Sequence, residues 1–290
     1  MIRTLFSLAL LASLAGAEVL REEWGPDPLA RAQARAVDDY LATVDLEEFT
    51  LPRPVLAPAT GGLAGLFIPA LYAWFPTIDG TVSTDGNPDF DLQDDFGLTD
   101  TEASGVVEAQ FSLGGLGVRF SAFFLEFEGS NILNRSITFG NVTFIVAEQV
   151  DSVLEINNYK LVTFFPIVKT QSLAISLQAG ISYYQLNGRA RSQSGLSATE
   201  TGDLPVPVGG ILVHARAGRF IFEADVAGLT IDYGDSHADL LEVQVSVGMT
   251  FLKIFGLKAG YRHIVLDARA NNFTIDATLE GFFVGAALLF

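Results

Sequence analysis

The sequence Gly-Phe-Phe-Val-Gly-Ala-Ala-Leu-Leu-Phe occupies residues 281–290, the last ten of the chain. Every second residue of this stretch is apolar, and together they form one face: Phe282, Val284, Ala286, Leu288 and Phe290. Side chains alternate between the two faces of a strand, so this spacing predicts a β-strand with a wholly apolar face. Because the ends of water-soluble domains usually fray into solvent, we expect this strand to face an apolar environment.

The same alternation recurs from about residue 67 onward. It predicts ten strands, near residues 68–84, 104–113, 117–128, 152–166, 171–186, 203–215, 219–231, 239–251, 255–268 and 276–290. These segments are longer than strands of water-soluble proteins, which average about 5–6 residues. They match the roughly 9–11 residues that a strand needs to cross a bilayer.

The predicted connections alternate in length. Short turns are expected at 114–116, 168–170, 217–218 and 252–254, and long loops at 85–103, 129–151, 187–202, 232–238 and 270–275. This segregation is typical of an up-and-down membrane barrel. The fold prediction is therefore all-β: an antiparallel transmembrane barrel of about ten strands over residues 61–290. Eight strands stay possible, and twelve would result if 136–139 and 142–146 also spanned.

The first sixty residues differ from the barrel segment. Residues 1–17 fit a signal peptide, with Arg3, an apolar core and Ala15-Gly16-Ala17 before the expected cleavage site. Residues 18–60 are expected to form a periplasmic leader with a short helix and a proline-rich linker.

Composition narrows the function classes. The formal net charge of −17 argues against nucleic-acid binding, and the lack of cysteine excludes disulfides and thiolate metal sites. Mean hydropathy is +0.36, yet no apolar run reaches the roughly 18 residues of a helical membrane span.

With its signal peptide, alternating strands over 68–290 and terminal Phe290, the chain resembles the small outer-membrane β-barrel proteins of bacteria, the broad opacity-like group. The resemblance implies the cell outer membrane as location, and lipid, lipopolysaccharide and the barrel-assembly machinery as partners of a monomer. It also implies that the C-terminal residues form an assembly signal: Phe282, Val284, Leu288 and Phe290. It assigns no activity, because such barrels have many roles.

The face opposite the apolar one carries charges that a narrow barrel would have to pair. We expect a lumen network of Glu108, Arg119, Glu155, Glu223, Asp225, Glu242, Lys258 and Arg262. Lys160 has the parity of Leu154, Ile156 and Val162, so it is expected to face lipid unless a β-bulge resets the register. Pro205 and Pro207 should delay the start of their strand.

Aromatic girdles are expected from Tyr72, Trp74, Phe75, Phe124, Tyr159, Phe164, Phe165, Tyr183, Tyr261 and Phe282.

An acidic loop could bind Ca²⁺ or Mg²⁺ loosely through Asp85, Asp89, Asp91, Asp94 and Asp95. It lacks the glycine and the final glutamate of an EF-hand, since Phe90 and Phe96 occupy those positions. No other cofactor is predicted.

The sequence favours a non-enzymatic function, structural or in surface interaction, with a charge-packed lumen. One alternative is a narrow channel for small solutes. Another is a surface hydrolase, either a protease with His237 at the rim or an acyl hydrolase of lipid A or phospholipid. The acyl hydrolase would need a serine beside its histidine, and the same-face neighbours of His214 and His263 supply none.

Overall fold

A computed structural model describes residues 66–84, 89–98, 103–113, 115–233, 236–251, 255–270 and 273–288. All of them belong to one compact unit, Ala57–Phe290. The predicted signal peptide (1–17) and leader (18–60) lie outside the described residues, so both stay predictions. Among the residues described, no helix is long and apolar enough to cross a membrane.

The described chain forms β-strands almost throughout. Their bounds are β1 Leu66–Thr84, β2 Phe90–Asp91, β3 Ser104–Leu113, β4 Leu116–Ile132, β5 Ile137–Phe139, β6 Val142–Phe144, β7 Gln149–Lys169, β8 Leu173–Ser192, β9 Ser197–Ala217, β10 Phe220–Tyr233, β11 Ser236–Phe251, β12 Phe255–Ala270 and β13 Phe273–Leu288. Ten long strands pair antiparallel in chain order, and β13 pairs with β1 to close the ring. The predicted ten-stranded antiparallel barrel is confirmed.

The three short strands lie outside this succession of ten. The strand β2 pairs with two residues near the end of β1, Thr81 and Val82. The strands β5 and β6 form a separate two-stranded hairpin between β4 and β7. Within the described residues, the twelve-strand alternative is therefore wrong, because this hairpin does not join the wall.

The two ends of the barrel differ in their connections. At one end, here called the turn end, two or three residues link β3 to β4, β7 to β8, β9 to β10 and β11 to β12. Gly115 and Gly218 lie in two of these turns with φ of +97° and +62°, values that favour glycine. At the opposite end, the loop end, strands replace most of the predicted loops: β8 extends to Ser192 and β9 begins at Ser197.

The outer face of the wall changes character along the strands. Toward the turn end the outward side chains are apolar and exposed, as in Leu71, Val107, Phe120, Leu161, Ile181, Phe222, Val226, Val245, Val247, Leu257 and Val284. Toward the loop end they are charged or polar, as in Glu126, Asp151, Arg189, Asp203, Asp239, Asp267, Asp276 and Glu280. The boundary is an outward ring of Phe75, Phe124, Tyr159, Tyr183, Tyr261 and Phe282. We call the two zones the turn-end half and the loop-end half.

In the interior, apolar and polar side chains are distributed the opposite way along the strands. In the loop-end half it is an apolar core that includes Ile78, Val82, Phe127, Leu154, Ile156, Leu186, Leu240, Ile264, Leu266 and Leu279. The strand β2 contributes Phe90, the turn after it Phe96 and the β5–β6 hairpin Phe139. The ring centroids of these three residues lie 5.7–6.5 Å apart. In the turn-end half the inward side chains are largely polar. The apolar core therefore closes the loop-end mouth of the barrel.

Two expectations about side-chain direction differ from the structure. Tyr72, Trp74 and Phe164 point inward and do not join the girdle. Lys160 also points inward and is buried, together with Leu154 and Ile156. Those two apolar residues belong to the loop-end core, so their face of β7 is the interior and not the lipid side.

The strand β9 begins before its prolines, contrary to expectation. Pro205 and Pro207 lie within the strand, opposite Tyr183 and Ile181 of β8. The pairing of β9 with β10 covers only Gly209–Ala217, so both prolines lie where β9 has a single paired neighbour. A strand edge tolerates the missing N–H of proline, which explains why the strand continues.

Candidate functional site

The turn-end interior holds a set of ionised side chains on the inward faces of six strands. Among the described residues there, carboxylates and cations are equal in number: Glu108, Glu223, Asp225 and Glu242 against Arg119, Lys160, Lys258 and Arg262. The interior is thus neutral in a chain whose net charge is −17. Neutrality matters because an unpaired charge in a low-dielectric interior is costly.

Glu223 on β10 is the centre of one cluster. Its carboxylate lies 2.7 Å from Lys258 Nζ on β12 and 2.7 Å from His214 Nε2 on β9, with Arg119 at 4.0 Å. Arg119 donates to Asp225 at 2.8 Å. Glu223 and Asp225 therefore each contact a cation from another strand.

Two neutral side chains complete this part of the network. Gln178 on β8 donates to Asp225. The Tyr72 hydroxyl donates weakly to Glu108, at 3.4 Å. Lys258 Nζ also lies 5.2 Å from the centre of the Tyr72 ring, which gives the ammonium a cation–π contact.

Glu242 on β11 forms the second cluster. It accepts from Lys160 Nζ at 2.8 Å and from the Arg262 guanidinium, and all three side chains are buried. The Arg262 guanidinium lies 5.3 Å from the Trp74 ring and 5.0 Å from the Phe123 ring. The aromatic pair thus joins the charged layer to the apolar core.

The cavity found among these groups is small. A cavity of about 10 Å³ is lined by Glu108, Arg119, Ser121, Lys160, Val162, Asp225, Glu242, Gln244 and Arg262. That volume holds at most one water molecule. The lumen is a packed polar core, as expected for a barrel of this size.

Glu155 does not belong to the lumen, so that part of the predicted network is wrong. It lies on the outer face of the loop-end half, where it accepts from Arg189 and from Asn187, the latter at 3.1 Å. The neighbouring residues Leu154 and Ile156 point inward. Lys160, His214, Gln178 and Tyr72 are interior partners that the predicted network did not include.

The acidic loop is organised by hydrogen bonds. Asp91 Oδ1 accepts from the backbone N–H groups of Gln93 and Asp94, at 2.8 and 2.7 Å, which is the pattern of an Asx turn. Asp95 accepts from Arg135 at 2.5 Å, and this hydrogen bond raises the pKa of Arg135 above its usual value. Asp89 and Asp94 are exposed, and Asp85 lies outside the described residues.

No group of three or more metal-ligating side chains occurs among the residues that the structure describes. Loose binding of Ca²⁺ or Mg²⁺ by the acidic loop stays a prediction, as does the absence of any other cofactor.

At the tip of the β8–β9 connection, Ser194 donates to Glu148 at 2.5 Å, and serine hydrogen bonds lower the pKa of Glu148.

The histidines do not form a hydrolase site with serine in the contacts described. His214 pairs with Glu223, and His263 pairs with Glu280 at 3.0 Å on the outer face. His237 lies on β11 opposite Arg269.

Of the predicted C-terminal signal, Phe282, Val284 and Leu288 point outward and are exposed, while Phe290 lies outside the described residues.

The architecture is that of a closed, ten-stranded antiparallel β-barrel with an apolar outer band. The structure is similar to the outer membrane protease OmpT from Escherichia coli, with 11% identity over 80% of this chain and 99% of that chain and a TM-score of 0.46. It is also similar to the translocator domain of the autotransporter NalP from Neisseria meningitidis, with 11% identity, coverage of 96% and 98%, and a TM-score of 0.41.

A third similar structure is Ail of Yersinia pestis in complex with sucrose octasulfate, with 11% identity, coverage of 79% and 100%, and a TM-score of 0.36. No family model matches the chain, and no curated protein sequence matches it. The similar structures differ in role.

Proposed function

We propose that this chain is a non-conducting outer-membrane barrel that acts as a rigid carrier of a polar outer surface. The packed interior carries the proposal. Phe90, Phe96 and Phe139 close the loop-end mouth, and paired charges fill the turn-end half behind them. A solute would have to displace both layers, so the interior supports structure rather than transport.

The outer face supports a membrane location. On β11, outward residues are apolar from Val247 to Leu241 and become acidic at Asp239, which is the pattern of a lipid-facing band with a hydrated extension. Short turns are periplasmic in such barrels, so the turn end faces the periplasm and the loop end faces outward. Lipid and lipopolysaccharide surround the band, and the assembly machinery reads the C-terminal strand of the monomer.

The surface available for interaction is the loop-end half. A row of three carboxylates crosses its outer face at directly opposed positions, where Asp239 faces Asp267 and Asp267 faces Asp276. Like charges at opposed positions repel, so this row favours cationic partners.

Cysteine labelling tests the location and orientation. The chain has no cysteine, so the labelling of a single introduced cysteine has no background from other residues. Ser194→Cys at the loop end should react with a membrane-impermeant maleimide on intact cells. Thr170→Cys at the turn end is the matched control and should react only after the outer membrane is permeabilised. Equal labelling of both would contradict the orientation.

Planar-bilayer recording tests the closed interior. The folded protein should give no current above the bilayer background. A double variant, Phe90→Ala with Phe139→Ala, loosens the loop-end closure and shows whether the polar layer alone also blocks ions. Steady unitary currents from the unmodified protein would overturn the proposal in favour of a channel.

A further inference from the structure

In the part of the chain that the structure describes, the barrel wall has a seam between β9 and β10 where the two strands are not paired. The strands β9 and β10 pair from Ala217 opposite Phe220 to Gly209 opposite Gly228, and their pairing ends there. Both strands continue toward the loop end, β9 to Ser197 and β10 to Tyr233. We use "the seam" for the two facing edges beyond that point, Ser197–Val208 of β9 and Leu229–Tyr233 of β10.

The departure of β9 from the wall explains the seam. Its other edge stays paired with β8 as far as Ser197 opposite Arg191. The strand also approaches β12 and β13 across the interior. Since pairing with β10 holds its turn-end half in the wall, the loop-end half is the part that leans inward. Pro205 and Pro207 lie in this part and have no N–H with which to form a ladder.

The seam begins at the margin of the apolar outer band that lies toward the loop end. Pro205 and Pro207 lie beside Tyr183 and Ile181, which belong to the girdle and the band. On the other side, Gly228 lies beside Leu241, the last apolar outward residue of β11. The opening is therefore at the height where acyl chains meet headgroups.

Apolar side chains lie at the opening. Leu229 has the inward parity of Ala227, yet 45% of it is exposed, compared with 1% of Ala227. Val206 and Val208 are buried on the inward face of the facing strand. A Cβ added at Gly209, the last paired residue of β9 before the seam, would meet no heavy atom closer than 4.0 Å. An apolar chain entering from the band would contact Leu229, the exposed apolar side chain at the opening.

We infer that the seam binds an acyl chain of the surrounding lipid, inserted between β9 and β10 against Leu229. The inference rests on the membrane location proposed above. An added peptide strand fits less well, because the prolines remove donors from one edge of the ladder that it would need. Lipid is also the apolar material that the adjoining band already contacts.

Photocrosslinking tests the inference in vesicles of phosphatidylethanolamine and phosphatidylglycerol. A benzophenone amino acid replaces Leu229, or, as matched controls, the band residue Leu241 (44% exposed) or the core residue Leu240 (1% exposed). After irradiation, mass spectrometry should find lipid adducts at positions 229 and 241 but not at 240.

A pair of cysteines then closes the seam. If the β9–β10 register continued, position 207 would face position 230, so Pro207→Cys with Thr230→Cys should remove the adduct at 229 after oxidation and leave that at 241 unchanged. Val213→Cys with Ala224→Cys, at positions already paired, is the control and should change neither adduct.

The outcomes separate the two proposals. Adducts at 241 without any at 229, or an adduct from 229 to β9 or to a peptide, would overturn the seam as a lipid site while the membrane location stands. If 241 also gives no adduct, the membrane location itself is wrong.

Discussion

The two halves of this barrel are inverted with respect to each other. In the turn-end half the outer face is apolar and the interior is charged, whereas in the loop-end half the outer face is charged and the interior is apolar. The same strands run through both halves without interruption. Under the proposed membrane location, the environment of each segment, lipid or water, decides which face carries the apolar residues.

The two halves also differ in what stabilises them. Apolar burial stabilises the loop-end half, as in any water-soluble core. Lipid offers little hydrophobic driving force for packing inside the turn-end half, so paired charges and hydrogen bonds fill that interior. The effect of a substitution on stability should therefore depend on the half and the face in which it lies.

The largest effect is expected from breaking the buried pair around Glu242. Glu242→Gln leaves Lys160 and Arg262 without their shared carboxylate, and such a loss should lower the free energy of unfolding by about 3–5 kcal/mol. Urea unfolding in phospholipid bilayers measures this. Glu128→Gln, an exposed change on the outer face of the loop-end half, is the control. Equal effects of the two substitutions would show that the turn-end network is not buried.

The core of the loop-end half should respond to loss of apolar volume. Leu240→Ala removes an interior leucine and should lower the free energy of unfolding by about 2–5 kcal/mol. Leu241→Ala changes the adjacent residue on the outer face and should cost less. The same urea titration compares them, and a larger loss at position 241 would contradict the assignment of faces.

The outer faces should differ in their tolerance of charge. Val245→Arg places a cation in the apolar band and should cost about 2–4 kcal/mol. Gln185→Arg lies on the outer face of the loop-end half and should change stability by about 0.5 kcal/mol or less. The temperature at which the folded band disappears from an unboiled gel measures both. Equal tolerance would argue against a lipid-facing band.

The smallest effect is expected at the row of outer carboxylates. Asp267→Asn removes the central charge between Asp239 and Asp276, and it should raise the free energy of unfolding by about 0.2–1 kcal/mol at low salt. The gain should shrink as salt screens the repulsion. Asp267→Glu keeps the charge and is the control; a gain as large as that of Asp267→Asn would exclude relief of repulsion as its cause.

The sequence predicts the turn-end half well because the alternation there is unambiguous: apolar residues face outward and polar residues face inward. Val243, Val245 and Val247 face outward, and Glu242 and Gln244 face inward, as the period-two pattern requires. The number of strands followed from this pattern and from the turns. The same pattern also predicts which residues of a strand point to the interior, such as Glu223 and Asp225 on β10.

The prediction for β7 failed because both of its faces carry apolar residues. Leu154 and Ile156 were assigned to the lipid side, but they lie in the loop-end half, where the apolar face is the interior. That inversion also misplaced Glu155 and Lys160. The contact between Lys160 and Glu242 joins residues 82 positions apart, and no local pattern specifies such a pairing. A change in the polarity of the outward face, as between Tyr159 and Asn157, is the signal that locates the boundary.

Closure of the ring has a consequence for how the molecule is made. Trp74 donates to the carbonyl of Gly281, 207 residues away, across the junction of β1 and β13. Contacts of such high sequence separation are entropically expensive and slow to form. Until β13 arrives, β1 has an unsatisfied edge that could pair with the wrong strand. Assembly therefore depends on keeping the first hairpins from aggregating until the last strand is delivered.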